Sequence, residues 1–318
     1  MAGPKNQVWL RGSEILKIEA PGPAAPDAGS NADDTSRHSE FRRVVRVFFG
    51  RKVAVIGLFI FIILVLTAIF APLLAPYEPN KMSLDEKLQQ PGQAHLLGTD
   101  SLGRDTLSRI IYGTRTSLAV GLGAISIAVI IGGSLGLIAA YSGGIVFAVI
   151  MRLTDALMAS PMIINALIIA SLLGGGLKNV IIALGIGMIS GQCRMMCGQA
   201  LTIKENDYIT AARSLGASPL RMMLRHILPN AFPPVLVLTT IGLGTTILAE
   251  AGLSFLGLGI APPQPAWGSM VNDGRDYMLR LPILTVAPGL AIMLVVYAFN
   301  MVGDGLRDAL DPGLRGRL

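Results

Sequence analysis

The chain has 318 residues, of which 52% are hydrophobic and only 14% are charged, and its formal net charge is +6. Soluble domains carry about 25% charged residues, so this composition excludes an ordinary soluble enzyme and favours a protein with several membrane spans. The positive charge does not indicate nucleic-acid binding, because the basic residues flank apolar segments, where they orient membrane helices.

The N-terminal segment 1–40 is rich in proline, glycine, alanine and aspartate and has no apolar core. It is therefore predicted to be a disordered cytoplasmic tail without a cleavable signal. The next segment, 41–52, reads FRRVVRVFFGRK and is basic and amphipathic. Such a segment is expected to lie along the inner membrane surface before the first span.

A membrane-spanning helix needs about 20 apolar residues, and six segments reach that length. They are 52–76, 117–141, 145–173, 177–200, 231–257 and 283–303. If the N-terminus is cytoplasmic, most of the 26 lysines and arginines fall on the cytoplasmic side. The sequence therefore predicts an all-α polytopic membrane protein with both termini inside. Near the end of the fourth span, Arg194 can extend its charged group to the interface.

The two longest polar connections on the outside are 77–116 and 258–282. Within the first, Asp105 and Arg109 have the spacing of a weak surface ion pair on a helix. The end of this loop fits either a gating or docking element or an interfacial helix that leads into the second span. The second connection contains several prolines and can hold an interfacial helix from Trp267 onward.

Small residues recur along two of the predicted spans. Gly132 and Gly136 in the second, and Gly187 and Gly191 in the fourth, have the spacing that lets two helix backbones approach closely in lipid. Two cysteines near the end of the fourth span, at 193 and 197, are interpreted as small buried hydrophobes. Two thiols without other ligands would make a poor metal site.

Two acids lie in apolar surroundings, where charge is costly and often functional. Asp155 follows Arg152 by three residues, which favours an ion pair within one helix. Glu250 has no local partner and could either line a pathway or support a helix contact. Together with Ser254, these acids are the candidate pathway or gate residues.

The polar segment 207–230, DYITAARSLGASPLRMMLRHILPN, interrupts the apolar spans on the cytoplasmic side. Gly216 is expected to end a first helix in the left-handed conformation, and Ser218 with Pro219 to begin a second. Pro229 is expected to end that second helix. Its predicted apolar stripe comprises Leu220, Met223, Leu224 and Ile227. This pattern alone fits either a surface for a partner or an interfacial hairpin without one.

The same segment resembles the EAA loop of ABC importer permeases, which is written E-A-A, three residues, glycine, nine residues and I-x-L-P. Here Thr210-Ala211-Ala212, Gly216 and His226-Ile227-Leu228-Pro229 stand at that spacing, with threonine in place of the glutamate and histidine in place of the isoleucine. Segments 98–118, 253–259, 262–270 and 303–312 are similar to the dipeptide, oligopeptide and nickel branch of the family. The resemblance covers roughly 40–318.

This resemblance implies a type I ABC importer permease with six transmembrane helices in the bacterial inner membrane. The implied partners are a homologous second permease, two cytoplasmic ABC ATPase subunits and an extracytoplasmic solute-binding protein. The solute could be a dipeptide, an oligopeptide, a nickel chelate, glutathione or an opine. The residues implied to contact the ATPase are Thr210, Ala211, Ala212, Arg213, Leu215, Gly216, Ala217, Ser218, Pro219, Leu220, Arg221 and Pro229.

The implied domain order contains five parts. They are the tail (1–40), the lead-in with the first span (41–76), an external loop with an interfacial helix (77–116), a core of five spans (117–307) that contains the coupling loop (201–230), and a cytoplasmic C-terminal tail (308–318).

No catalytic residue, metal site or cofactor is expected, and ATP hydrolysis is assigned to partners because G-x-x-x-x-G-K-[ST] does not occur. An intramembrane enzyme is disfavoured, since His38, His95 and His226 all lie outside the predicted spans and H-E-x-x-H does not occur. An ion-coupled secondary transporter is the other alternative, and the inverted hydropathy repeat that it would favour is not evident.

Overall fold

Thirteen helical segments carry the fold of residues 42–310, the part of the chain that the computed structural model describes. They are 42–50 (α1), Lys52–Ile69 (α2), Ala71–Leu74 (α3), Thr106–Ile127 (α4), Gly133–Ser142 (α5), Gly144–Met158 (α6), Met162–Leu173 (α7), Leu177–Lys204 (α8), Asp207–Ser214 (α9), Pro219–Arg221 (α10), Leu228–Phe255 (α11), Trp267–Arg275 (α12) and Ile283–Leu310 (α13). The predicted tail 1–40 and the end of the predicted C-terminal tail lie outside the described residues.

Within residues 42–310, five continuous helical stretches are long and apolar enough to cross a membrane. They are Lys52–Ile69, Thr106–Ser142, Leu177–Lys204, Pro219–Phe255 and Ile283–Leu310, and α6 with α7 makes a sixth if this bent pair counts as one span. The predicted all-α membrane fold is confirmed for the described residues.

The third predicted span, 145–173, is not one straight helix. Its two halves, α6 and α7, meet at an angle of 87°. The cause is Pro161, which has no N–H to donate and which disfavours helical geometry at Ser160. Asn165 compensates for the break, because its side-chain amide donates to the carbonyl oxygen of Leu157 at 2.8 Å.

The second span begins at Thr106 rather than at residue 117. The helix then continues through a π turn, Ala128–Gly132, as far as Ser142. Asp105 caps its first turn by accepting a hydrogen bond from the Ser108 N–H at 2.7 Å. An interfacial helix that leads into this span was one of the two predicted alternatives, and the structure shows that helix and span are continuous. Hydropathy did not reveal this continuity, because the first turns are polar and the external loop covers them.

The prediction that Pro229 ends the second helix of the polar segment is wrong. The helix runs unbroken from Pro219 to Phe255, with a π turn at Met222–Ile227 just before the proline. A π turn bonds each carbonyl to the N–H five residues on, so a carbonyl that faces a proline can find the following donor instead. Asn230 also donates from its side chain to the His226 carbonyl at 2.7 Å.

The π turn also rotates the side chains away from the predicted apolar stripe. Ile227 is fully buried as predicted, but Leu220 is 62% exposed and Leu224 is 53% exposed. Met222, which was not assigned to the stripe, is fully buried instead. A stripe counted at ordinary helical spacing loses its register when the helix changes its hydrogen-bond pattern.

Close packing of α8 against α5 and the preceding π turn forms the centre of the bundle. A Cβ at Gly136 would lie 2.2 Å from the carbonyl oxygen of Cys193, and one at Gly132 would lie 2.5 Å from that of Ile189. Only glycine fits at these two positions. Cys193 and Cys197 are buried at this contact.

Candidate functional site

The hairpin formed by α9, the turn 215–218 and α10 follows directly from its sequence. Gly216 has φ +82°, and its N–H bonds to the Arg213 carbonyl at 3.0 Å. The Ala217 N–H bonds to the Ala212 carbonyl at 3.2 Å, which completes a glycine-terminated helix end. Ser218 then accepts from the Arg221 N–H at 3.4 Å and so begins the next helix. The turn is fixed by its own backbone bonds.

One side of this hairpin is anchored in the bundle and the other is open. Ile209 and Met222 are buried in a cluster with residues of α5, α8 and α11. On the open side, Leu215 is 88% exposed and Leu220 is 62% exposed. Ala212 packs against the buried cluster, so it does not lie on the open surface.

The structure places eleven of the twelve residues predicted to contact an ATPase on the hairpin or its turn. They are Thr210, Ala211, Ala212, Arg213, Leu215, Gly216, Ala217, Ser218, Pro219, Leu220 and Arg221. Pro229 lies instead in the first turn of α11.

Lys204, which was not singled out in the sequence, joins the end of α8 to the end of α5 just before the hairpin begins. Its ammonium donates to the carbonyl oxygens of Ala140 and Tyr141, each at 2.9 Å, at the end of α5. The Tyr141 ring lies 6.0 Å from the guanidinium carbon of Arg213 on α9. A basic residue in the last turn of a long helix is the signal that could have pointed to it.

Asp155 does not have the partner that was expected from local spacing. It accepts a hydrogen bond from the guanidinium of Arg194, which joins α6 to α8, whereas a pair with Arg152 was predicted. The Asp155 and Arg194 side chains are 45% and 52% exposed. Spacing along one helix could not reveal this partner, because the two residues are brought together only by helix packing.

Glu250 and Ser254 form a separate buried contact. The Ser254 hydroxyl donates to Glu250 Oε1 at 2.7 Å and accepts from the Ile260 N–H at 3.2 Å. Glu250 is only 1% exposed. Glu250 and Ser254 both belong to α11, and Ile260 lies in the segment that follows, so this bond holds the end of α11 to that segment.

The external loop holds a buried charged cluster rather than the predicted surface pair. Asp105 lies 2.8 Å from His95 Nδ1, and Arg109 donates to the Pro79 carbonyl at 3.2 Å. Asp100 bonds to Arg104 Nε at 2.6 Å. The predicted pairing of Asp105 with Arg109 is wrong, because each is buried against a different partner.

The short helix α12 completes this external cluster. It begins at Trp267, as the sequence indicated, and the Trp267 indole donates to the Ile110 carbonyl at 3.0 Å. Asp273 Oδ2 lies 4.0 Å from Arg104 Nη2. Burial raises the pKa of the Asp273 carboxyl above its ordinary value, and the two nearby arginines, Arg104 and Arg109, partly oppose that rise.

A cavity of about 450 Å³ lies where α6 and α7 meet, against α8 and α11. Its lining residues are neutral. They are Leu157, Met158, Ser160, Pro161, Met162, Gly187, Met188, Ser190, Gly191, Gln192, Met195, Leu238 and Gly242. None of the three predicted pathway residues, Asp155, Glu250 and Ser254, lines this cavity. Asp155 lies on α6 less than one turn before Leu157, which does line it.

Two family models match the sequence. Residues 132–316 match the model described as binding-protein-dependent transport system inner membrane component. Residues 39–91 match the N-terminal TM domain of oligopeptide transport permease C.

Similar proteins of known name are transport permeases. The glutathione transport system permease protein of Pectobacterium atrosepticum is 43% identical, over 89% of this chain and 94% of that protein. The dipeptide transport system permease protein of Alkalihalophilus pseudofirmus is 40% identical, over 91% and 95%. The di/tripeptide transport system permease protein of Pseudomonas aeruginosa is 44% identical, over 84% and 90%.

Among solved structures, a chain of the inward-facing MetNI methionine ABC transporter superposes with a TM-score of 0.54 at 20% identity. The match covers 64% of this chain and 98% of that one. At this identity the likeness establishes the fold of the shared helices.

Proposed function

We propose that this chain forms half of the translocation pathway of a peptide importer. The premise is its family: the chain belongs to the inner membrane components of binding-protein-dependent transport systems. The chain is a multi-pass inner-membrane permease and works with ATPase and solute-binding partners. The proposal adds the class of solute, the surface that contacts the ATPase, and the arrangement of two permeases over two ATPases.

The solute class is inferred from the relatives. The three relatives described above are named as permeases for dipeptides, di- and tripeptides and glutathione, which all contain amide bonds and a few side chains. We therefore assign short peptides, including glutathione, as the transported class.

The observation that carries the coupling assignment is the pair of exposed leucines on an anchored hairpin. Leu215 and Leu220 face outward from a turn that its own hydrogen bonds hold rigid. Large apolar side chains exposed outside the membrane are unfavourable in water, and a protein contact at this surface would bury them. At the cytoplasmic end of the bundle, the partner that fits is the ATPase of the importer.

This contact supports a mechanical role for the hairpin. When ATP draws two ATPases together, a hairpin seated in each is carried with it as a rigid body. The attached helices then tilt and turn the pathway toward the outside, where the binding protein releases the solute. This chain supplies the moving walls, and its partners supply the hydrolysis.

The half-pathway assignment is supported by the break between α6 and α7. Ala159 and Pro161 are exposed there, although they lie between two apolar helices. Non-helical backbone at membrane depth is stable only against protein or a water-filled cavity. A second permease that faces this surface across an aqueous pathway meets that requirement.

The coupling assignment is tested with Leu215→Glu in the complex with its ATPases and binding protein, reconstituted into liposomes. A charge on this apolar contact should abolish ATP-driven uptake and binding-protein-stimulated hydrolysis. The matched control is Leu279→Glu, because Leu279 is fully exposed in the segment after α12, on the external side of the bundle. Normal uptake by the Leu215→Glu complex would show that the hairpin is not the coupling surface.

A second measurement separates the importer from an ion-coupled carrier. Uptake should stop when ATP is withheld while the proton and sodium gradients are kept. Uptake that continues on an ion gradient alone would contradict the proposed mechanism.

A further inference from the structure

The cavity at the junction of α6 and α7 lies about midway along the long helices that line it. Its wall on α8 runs from Gly187 to Met195, in the central part of Leu177–Lys204. Its wall on α11 runs from Leu238 to Gly242, in the central part of Pro219–Phe255. Transporters bind solutes at this depth, beside broken helices whose backbone can serve as a ligand.

Gln192, which lines this cavity, has an unsatisfied polar group. The residue is only 7% exposed, and its side-chain oxygen Oε1 is buried without a hydrogen-bond partner among the described residues. A buried acceptor left without a donor costs about 1–3 kcal/mol, so the site is stabilised by a donor that enters it. Gln192 Oε1 therefore has a free acceptor position for an N–H group.

The remaining walls are soft and uncharged. Four methionines line the cavity, Met158, Met162, Met188 and Met195. Methionine side chains are flexible and polarizable, which lets one surface fit many apolar shapes. Because no charged side chain is in the lining, the cavity suits the neutral middle of a solute rather than a charged terminus.

We propose that this cavity is a solute subsite, where Gln192 Oε1 accepts a hydrogen bond from a peptide N–H of the passing solute and the methionines contact its side chains. This inference rests on the proposed function and names a recognition site within it. A single neutral hydrogen bond and adaptable walls hold the solute weakly, which suits a site that must also release it.

The absence of a side chain at Gly191 leaves the cavity open, so substitutions at this position can test the proposal. A Cβ at this position would meet no atom within 4 Å, so the G-x-x-x-G of α8 opens a cavity here rather than forming a helix contact. A Gly191→Leu side chain would project into the cavity and occupy part of it. Gly198, also on α8, has the same open surroundings but is not in the lining. Gly198→Leu is therefore the matched control.

The experiment measures ATP-driven uptake into proteoliposomes that contain the whole complex, with a binding protein loaded with a tripeptide. Gly191→Leu should lower the maximal uptake rate at least tenfold, whereas Gly198→Leu should leave it within twofold. Gln192→Leu should lower it roughly threefold to tenfold, the loss expected for one neutral hydrogen bond. If both cavity variants transport like Gly198→Leu, the subsite assignment is wrong.

A second arm identifies the hydrogen bond. The probe is the same tripeptide with its peptide nitrogens methylated, so that it has no amide N–H to donate. The wild-type complex should import it more slowly than the parent, and Gln192→Leu should import the two at similar rates. An unchanged preference in Gln192→Leu would remove Gln192 from recognition of the peptide.

Protein assembly is controlled with Gly191→Cys, which is modified by a polar thiol reagent only after the complex has formed. Loss of uptake on modification, with none for Gly198→Cys, supports the subsite, and equal uptake before and after contradicts it. If the proposed function is wrong, the result is different, because uptake by the wild type would then not depend on ATP. The comparison of variants at Gly191 with variants at Gly198 remains valid whichever energy source drives uptake of the solute.

Discussion

The ammonium of Lys204 lies 2.9 Å from the Tyr141 carbonyl oxygen and 5.8 Å from the centre of the Tyr141 ring. A cation at the C-terminal end of α5 is stabilised by the partial negative charge of the unpaired carbonyls. Because α9 begins soon after Lys204, at Asp207, this contact fixes where the hairpin leaves the bundle.

Replacement of Lys204 by methionine should therefore weaken both stability and coupling. The side chain keeps its length, but the two hydrogen bonds to α5 are lost, which should lower the free energy of unfolding by about 1–3 kcal/mol. Thermal unfolding in detergent measures this loss, and the uptake per ATP hydrolysed should also fall. Lys178→Met, at the other end of α8, is the control. Equal behaviour of the two variants would contradict the role given to Lys204.

Gly136→Ala should destabilise the bundle, whereas Gly133→Ala should not. The added methyl at Gly136 would lie 2.2 Å from the Cys193 carbonyl oxygen, while at Gly133 the nearest atom is Met196 Cε at 3.6 Å. Forcing α5 away from α8 should cost about 1–3 kcal/mol. The midpoint of thermal unfolding checks this, and a pair of equally stable variants would show that the helices can separate freely.

The bridge between Asp155 and Arg194 should tolerate exchange better than loss of one member. Asp155→Asn leaves the arginine without its partner among apolar helices, so we expect uptake to fall severalfold. The double variant Asp155→Arg/Arg194→Asp restores opposite charges across α6 and α8 and should recover part of the uptake. A double variant as impaired as the two single changes combined would argue against a direct pairing.

Asp273 should make stability depend on pH. Its raised pKa means that the folded protein keeps this proton to a higher pH than the unfolded chain does. The stability from Asp273 is therefore fully present below its ordinary pKa of 3.8 and is lost as the pH rises through the raised value. Asp273→Asn cannot ionise, so it should lose less stability than the wild type as the pH is raised from about 4.

Chemical unfolding in detergent at several pH values measures the effect of Asp273→Asn. The control is Asp276→Asn, since the Asp276 side chain is 72% exposed and carries its charge in water. An Asp273→Asn variant whose stability follows the same pH curve as the wild type would show that this carboxyl does not contribute.

Properties that depend on local chemistry could be predicted from the sequence. The turn at Gly216 needs a left-handed residue and Ser218 is a good helix cap, so the hairpin was predictable in its backbone. The close approach at Gly132 and Gly136 was likewise predictable, because glycine leaves room that other residues fill.

Contacts between elements distant in the sequence could not be predicted in the same way. Asp155 has a possible partner one turn away, and nothing local shows that α8 offers a different one, Arg194. The polar first turns of α4 gave no apolar signal, because the external loop covers them. Gln192 is one polar residue within an apolar helix, and only packing shows that it faces a cavity.

The unbroken helix from Pro219 to Phe255 makes the end of the hairpin and a membrane span one piece. With a rise of about 1.5 Å per residue, its 37 residues form a lever about 55 Å long. A pull on its cytoplasmic end then moves the external end in the opposite direction about a point within the bilayer. Pro233 and Pro234, inside this helix, are where such a lever would flex first.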